Sequence, residues 1–279
     1  MIVAGDLRAF VASARKELRI MRRYPTLLLS VLFWPILLPA SAVLMGRAYS
    51  GSNDPQALQA FAERAGTSEV TGFVFVGYAM YMWLSAMLWG PGSALRTEQV
   101  RGSLEAVFLT PTSRLVPLFA PPVAALPAMI LDFAVIFPAM WLLFGVVLPF
   151  DALLRAIVVA AIGIPALYAI GALFASLVLR YGEIGPVVHL TRGIFVLACG
   201  ITFPLTMLPA WAQLGAALLP PTYTVADTRT VLLRGEGLGA VAGDLIFVVA
   251  LTVIIAALAS VVFRWLDRSA RRTGMLGRY

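Results

Sequence analysis

Few side chains in this sequence are equipped for bond-making chemistry, and those few do not cluster. The only histidine, His189, stands three residues before Arg192, so one helical face carries both. The only cysteine, Cys199, lies in an apolar stretch and can form neither an intrachain disulfide nor a cysteine metal cluster. Asp132 sits inside a long apolar run, where a carboxylate is costly unless paired or wet. It is expected to pair with another helix; the alternative is a place along a transport route. Arg192 is expected to snorkel to a membrane interface, and Arg180 and Glu183 to pair at helical spacing. Chemistry on lipid headgroups needs clustered acids, histidines or metal ligands, and a proton relay needs several ionisable groups in series. The sequence offers neither, so no catalytic residue, metal ligand or bound cofactor is expected. The one lysine, Lys16, follows Ser13-Ala14-Arg15 and lacks the Gly-x-x-x-x-Gly-Lys-Ser/Thr loop that cradles phosphates. This chain cannot bind ATP in that way.

The elements that carry these residues belong in lipid. Of 279 residues, 61% are hydrophobic and 13% charged, and the mean hydropathy is +0.90. A soluble domain carries about 45–50% apolar and about 25% charged residues. Apolar runs of the roughly 20 residues needed to span a bilayer occur six times, near 26–46, 71–94, 117–148, 152–179, 186–203 and 241–263. Gly90-Pro91-Gly92 is expected to break the end of the second, and Pro149-Phe150-Asp151 to join the third tightly to the fourth. Prolines at 35, 39, 127, 138 and 165 are expected to kink helices, which bundle neighbours tolerate. The predicted fold is all-α. Residues 1–25 form an interfacial helix, 26–263 a six-helix transmembrane domain and 264–279 a basic tail. No inverted-repeat similarity between halves suggests a secondary transporter.

The net charge of +7 comes from arginines flanking apolar runs, a membrane-topology pattern and not a nucleic-acid face. With the N-terminus cytoplasmic, only Arg47, Arg64, Arg155, Arg229 and Arg234 fall outside, so the positive-inside rule places both termini in the cytoplasm of a plasma (inner) membrane protein. Leu7, Phe10, Val11, Ala14, Leu18 and Met21 form an apolar stripe, with Arg8, Arg15, Lys16, Arg19, Arg22 and Arg23 largely off it. That pattern suits a helix lying in the interface. It serves as a topology anchor or also as a surface for a cytoplasmic partner. Ala40-Ser41-Ala42 looks like a signal-peptidase site, but the basic lead is too long and the apolar run continues past it. An uncleaved first span is expected.

Between the second and third spans, Val100, Leu104, Val107 and Phe108 share a helical face, while Glu98, Arg101 and Glu105 point elsewhere. A short amphipathic helix stopped by Thr110-Pro111 suits docking to another protein; a solvated loop is the alternative. Glu98-x-x-Arg101-Gly102-x-Leu104-Glu105, then Thr110-Pro111, resembles the cytoplasmic coupling segment of type-2 ATP-binding-cassette permeases. Far downstream, Gly200-x-x-Phe203-Pro204-x-x-x-Leu208-Pro209-x-Trp211, then Pro220-x-Thr222-Tyr223 and Arg229, is similar to that family's outer segment before the last span. Lys16-Glu17-Leu18-Arg19 with Arg23-Tyr24-Pro25 fits its first helix. Pro221 departs from the family's usual leucine, and Asp227 stands one place later than its usual aspartate.

The resemblance implies a dimeric permease, built from identical or different copies, whose ATP and Mg are held by two separate ATP-binding-cassette ATPase subunits. Besides these and membrane lipids no partner is implied, nucleic acid included. The cargo implied is a drug, lipid or natural product, with lipid-linked polysaccharide as the alternative; a lipid-modifying enzyme is the reading of another class. On this view Glu98, Arg101, Gly102, Leu104, Glu105, Phe108, Thr110 and Pro111 receive the ATPase stroke. Phe203, Pro204, Leu208, Pro209, Trp211 and Tyr223 belong to short re-entrant helices that close the exit, a plain loop being the alternative. Phe73, Phe75, Tyr78, Tyr81, Trp83, Trp89, Phe133, Phe137 and Trp141 are lumen candidates, most of them expected in the bundle core or facing lipid.

Overall fold

Residues 4–23, 25–50, 55–100, 102, 116–181 and 185–273 are described by the computed structural model. They are helical throughout apart from short connections, with no strand among them. The helices are α1 (Ala4–Arg23), α2 (Pro25–Ser50), α3 (Pro55–Ala65), α4 (Val70–Val100), α5 (Val116–Phe144), α6 (Phe150–Tyr181), α7 (Gly185–Ala198), α8 (Ala210–Ala216), α9 (Pro220–Leu233) and α10 (Leu238–Thr273), with a 3₁₀ turn at Leu205–Met207. Among the described residues, three stretches are long and apolar enough to cross a bilayer: Val70–Gly90, Phe150–Ser176 and Leu238–Leu266. Shorter apolar helices occupy Phe33–Ala48, Ile130–Phe144 and Gly185–Ala198.

Two boundaries differ from the sequence reading. Gly90-Pro91-Gly92 does not stop the second apolar helix, because α4 runs on to Val100. A proline removes one backbone hydrogen bond, a loss that neighbouring helices in a bundle tolerate, and the residues after it are mostly good helix formers. The fifth apolar run does not stay helical to residue 203. Gly200 adopts φ +65°, its N–H bonds the Leu197 carbonyl, and the Ile201 N–H reaches back to Val196. This is a Schellman cap. It ends α7 after 14 residues, about 21 Å at 1.5 Å per residue.

The bundle forms around α4 and α6. α10 lies along α6, α4 packs on α5 and α6, and α2 covers α4 and α5. α1 rests on α5, and its described side chains, Arg15, Arg19 and Arg22 among them, face outward. Pro35 and Pro39 in α2 and Pro165 in α6 sit inside continuous helices. The main core holds Phe75, Met87, Leu88, Ile136 and Met140, all fully buried. A second core forms where α4, α6, α9 and α10 meet, around Val76, Ala156, Val159, Val231 and Leu245. α10 carries its helix through the basic residues Arg264 and Arg268 to Thr273.

At the end where α4 begins, α3, the 3₁₀ turn, α8 and α9 gather into a cap. Thr206 donates to the Arg64 carbonyl (3.2 Å) and Arg234 to that of Ala65 (3.1 Å), tying the turn and the α9–α10 connection to α3. Phe61 of α3 meets Phe73 of α4 edge-on at 5.3 Å. α9 is wedged against α4, α6 and α10. Its seat depends on Gly163 of α6, where an added Cβ would stand 2.5 Å from Cγ2 of Thr224. Thr224 cannot swing away freely, since its hydroxyl donates to the Pro220 carbonyl (3.2 Å). Gly163→Val is therefore expected to destabilise the purified protein by about 1–3 kcal/mol, read as a lower thermal midpoint in detergent. Adding Thr224→Ala should recover much of the loss; no recovery would mean that the α6–α9 contact is not the cause.

Candidate functional site

The cap is organised around one cation. α9 opens on Pro220-Pro221 at its first positions, where missing N–H groups leave no helical bond unmade. Its threonines bond inward: Thr222 donates to Ala216 (2.8 Å) and Thr228 to Thr224 (2.6 Å), while Tyr223 donates to Ala217 (3.0 Å). The Thr222 and Tyr223 bonds lock α9 to the end of α8, and Arg229 points between α4 and the chain just after α7. Arg229 Nε and Nη2 donate to the Phe73 carbonyl at 3.1 and 2.9 Å, Nη1 to Gly200 at 2.5 Å, and Nη2 to Ile201 at 2.7 Å. The guanidinium carbon also lies 3.4 Å from the centroid of the Phe73 ring. A buried guanidinium is tolerable only when its fork of donors is satisfied, and here three carbonyls satisfy it. Two of them follow the α7 cap, at the helix end where the backbone dipole favours a cation.

Close approach makes the arrangement possible. A Cβ on Gly77 would stand 2.0 Å from the Ile201 oxygen and 2.4 Å from Arg229 Nη2. Any larger residue there would push the 200–201 segment and the guanidinium off α4. Two residues before Arg229, Asp227 is 2% exposed and its Oδ2 has no hydrogen-bond partner. Asp244 of α10 is the charged group beside it.

The sequence-chosen cap residues are spread across this structure. Phe203 is half-buried and Pro204 buried, Leu208 is half-buried, and Pro209 is exposed. Trp211 is 77% exposed and, like Leu214, turns away from the chain's own interior. Tyr223 stacks edge-on against Phe247 of α10 at 5.2 Å. Arg229 is the residue whose role sequence reasoning missed, having been counted as an outer-side charge. No local pattern marks it, because its acceptors come from α4 and the chain after α7.

Of the residues expected to couple to an ATPase, Glu98 lies in the last turn of α4, and Gly102 has φ +70° and is exposed. Arg101, Leu104, Glu105, Phe108, Thr110 and Pro111 lie outside the described residues, as do Tyr24 and Glu183. Within the bundle Asp132 is buried on α5, next to Phe133, whose ring meets Trp83 at 4.6 Å. Among the described residues nothing bonds Asp132. His189 is exposed on α7 with its ring 5.3 Å from that of Trp89. Arg192 does not simply extend towards the interface: Nη2 donates to the hydroxyl of Tyr81 on α4 at 2.6 Å. Of the aromatic lumen candidates, Phe73, Phe75, Trp83 and Phe133 are packed core, Trp141 is exposed, and Tyr78, Tyr81, Trp89 and Phe137 are half-buried. Among the described residues no group of three His, Cys, Asp or Glu could hold a metal ion.

A protein-family model described as ABC-2 type transporter matches residues 8–233, well over half of the chain. No curated protein matched the chain.

Removing the Arg229 side chain strands the carbonyls of Gly200 and Ile201, while that of Phe73 keeps its bond within α4. Each buried group left unsatisfied costs about 1–3 kcal/mol, so Arg229→Ala should lower stability by at least about 2 kcal/mol. Arg229→Lys should recover only part of this, because a compact ammonium cannot replace a planar fork. Thermal midpoints of the three proteins in one detergent test the point, and an unshifted Arg229→Ala would refute the assignment.

Proposed function

Because the chain belongs to the ABC-2 type transporter family, we propose that this multi-pass membrane permease is the membrane subunit of an ATP-driven exporter of amphiphilic or hydrophobic cargo, such as a drug, lipid or natural product. The observation that carries this reading is the family match over residues 8–233. The sequence adds a constraint of its own. Lacking a phosphate-binding loop around Lys16, the chain takes its driving force from separate ATP-binding-cassette subunits, which hold ATP and Mg. A second permease copy completes the pathway. All six apolar segments cross the plasma membrane, residues 1–25 lie at its inner surface, and both termini are cytoplasmic, as the arginine distribution suggests.

The mechanism is a mechanical one. ATP-driven closure of the partner pushes the segment Arg101–Phe108, which follows α4 directly. An unbroken α4 of 31 residues, about 46 Å long, supports transmission of that push. Its far end is the Phe73 carbonyl that Arg229 grips. Displacing α4 therefore acts on the cap without any flexible joint between them. The exposed faces of Trp211 and Leu214 then meet those of the second copy and close the exit until the stroke parts them.

Reconstituted in liposomes with its ATPase partner, the chain should export an amphiphilic dye only when ATP is supplied. Full export by the purified chain with no nucleotide-hydrolysing companion would end this reading. Glu105→Lys should abolish substrate stimulation of the partner's ATPase and transport together, with membrane insertion intact. Unchanged stimulation and export would remove the coupling role from this segment.

A further inference from the structure

Three arginines in the described helices meet three different environments. Arg229 is saturated by backbone carbonyls. Arg155 has a carboxylate, Asp151, at 2.9 Å. Arg192 has neither. Its guanidinium donates from Nη2 to one neutral hydroxyl, that of Tyr81, and its carbon lies 5.2 Å from the Tyr81 ring centroid. Nε of Arg192 is buried and has no hydrogen-bond partner. Among the described residues no carboxylate pairs with it.

Its position sharpens the problem. Tyr81 lies near the middle of the apolar stretch Val70–Gly90, so the guanidinium sits at a depth where a charge is costly and marks a functional site by default. A tyrosine hydroxyl accepts a hydrogen bond but brings no opposite charge. The surroundings are amphiphile-like. Tyr78 stacks edge-on to Tyr81 at 6.1 Å, and Trp89 to His189 at 5.3 Å. Arg192 with Tyr81 and His189 with Trp89 bridge the seam between α4 and α7, and Tyr78, Tyr81, Trp89 and Arg192 are only half-buried.

We infer that Arg192, held by Tyr81 at the α4–α7 seam, recognises the oxyanion head, a carboxylate or phosphate, of an amphiphilic cargo whose apolar tail lies along Trp89. The inference rests on the exporter reading above and narrows its substrate class. A planar guanidinium with free donors suits a carboxylate or phosphate, which it can bind by two parallel hydrogen bonds. The apolar surroundings strengthen that attraction relative to water, and the Tyr81 hydroxyl fixes the fork so that less rotamer freedom is lost on binding. A neutral or cationic amphiphile of equal length would meet the same tail surface and gain nothing from the cation.

The test uses the purified full chain in maltoside micelles without any ATPase, and reads quenching of tryptophan fluorescence by dibromostearic acid and by dibromostearyl alcohol. The acid should bind at least about tenfold more tightly than the alcohol, a difference of about 1.4 kcal/mol. Arg192→Gln should abolish the preference and leave alcohol binding in place, and Arg192→Lys should retain part of it. Tyr81→Phe should keep the preference, because it removes a positioning hydroxyl and leaves the charge. Equal affinity for acid and alcohol in the natural chain, or an undiminished preference in Arg192→Gln, would overturn the inference. If Arg192→Gln does not fold, competition on the natural chain decides: dodecyl phosphate should displace the acid and dodecyltrimethylammonium should not, and equal displacement refutes the site. ATP-dependent export is measured separately with the partner present. Export without acid preference sinks only this inference, whereas acid preference without ATP-dependent export sinks only the exporter reading.

Discussion

A guanidinium buried among apolar helices must find acceptors, and Arg229 finds them on the backbone of two other segments. That requirement dictates the surrounding architecture. α7 has to stop early, because a continuing helix would engage the carbonyls of Gly200 and Ile201 in its own ladder. Gly200, at φ +65°, makes the stop and turns its carbonyl to the cation. Gly77 has to lack a side chain so that the 200–201 segment can lie against α4. α9 has to be rigid, and its inward-bonded threonines and paired prolines make it so. One cation thereby joins α4, the end of α7 and α9, and the cap moves with α4 or not at all.

The same cation explains why the cap does not need a large apolar core. α3 has no buried residue, and α8 exposes its largest side chain, Trp211. Such elements bury too little to hold themselves in place by hydrophobic contact, at about 25 cal/mol per Å². They are held instead by directed bonds, from Thr206 and Arg234 to carbonyls at the end of α3 and from Tyr223 to Ala217. Directed bonds can be exchanged in a way that close packing cannot. The deeper α4–α5–α6 core is the opposite case, with Phe75, Ile136 and Met140 wholly enclosed.

Hydropathy made the long apolar helices legible because lipid tolerates only segments that satisfy their own backbone. The helicity of the first segment was legible from its apolar residues at helical spacing, and short helices before the last long apolar helix from paired prolines. Where the chain departs from that single pattern, the sequence was a poorer guide. α3 is too polar to register as a membrane element, yet it closes against the cap. Gly90-Pro91-Gly92 reads as a stop, and only the bundle around it makes the helix continue. Arg229 looked like a surface charge because residue type does not reveal what a neighbouring helix end offers. A tertiary environment, not a local one, decides each of these.

The two arginines that meet α4, Arg229 and Arg192, follow one rule to different ends. In the first turns of α4, Gly77 leaves the backbone open, so a guanidinium can reach the Phe73 carbonyl although that carbonyl lies within a helix. Further along the same helix, around Tyr81, an unbroken helix has already used its carbonyls. An arginine arriving there can meet only a side chain, and the one it meets is a tyrosine hydroxyl. Backbone access thus separates a cation satisfied by carbonyls from one that, among the described residues, meets a hydroxyl and no carboxylate.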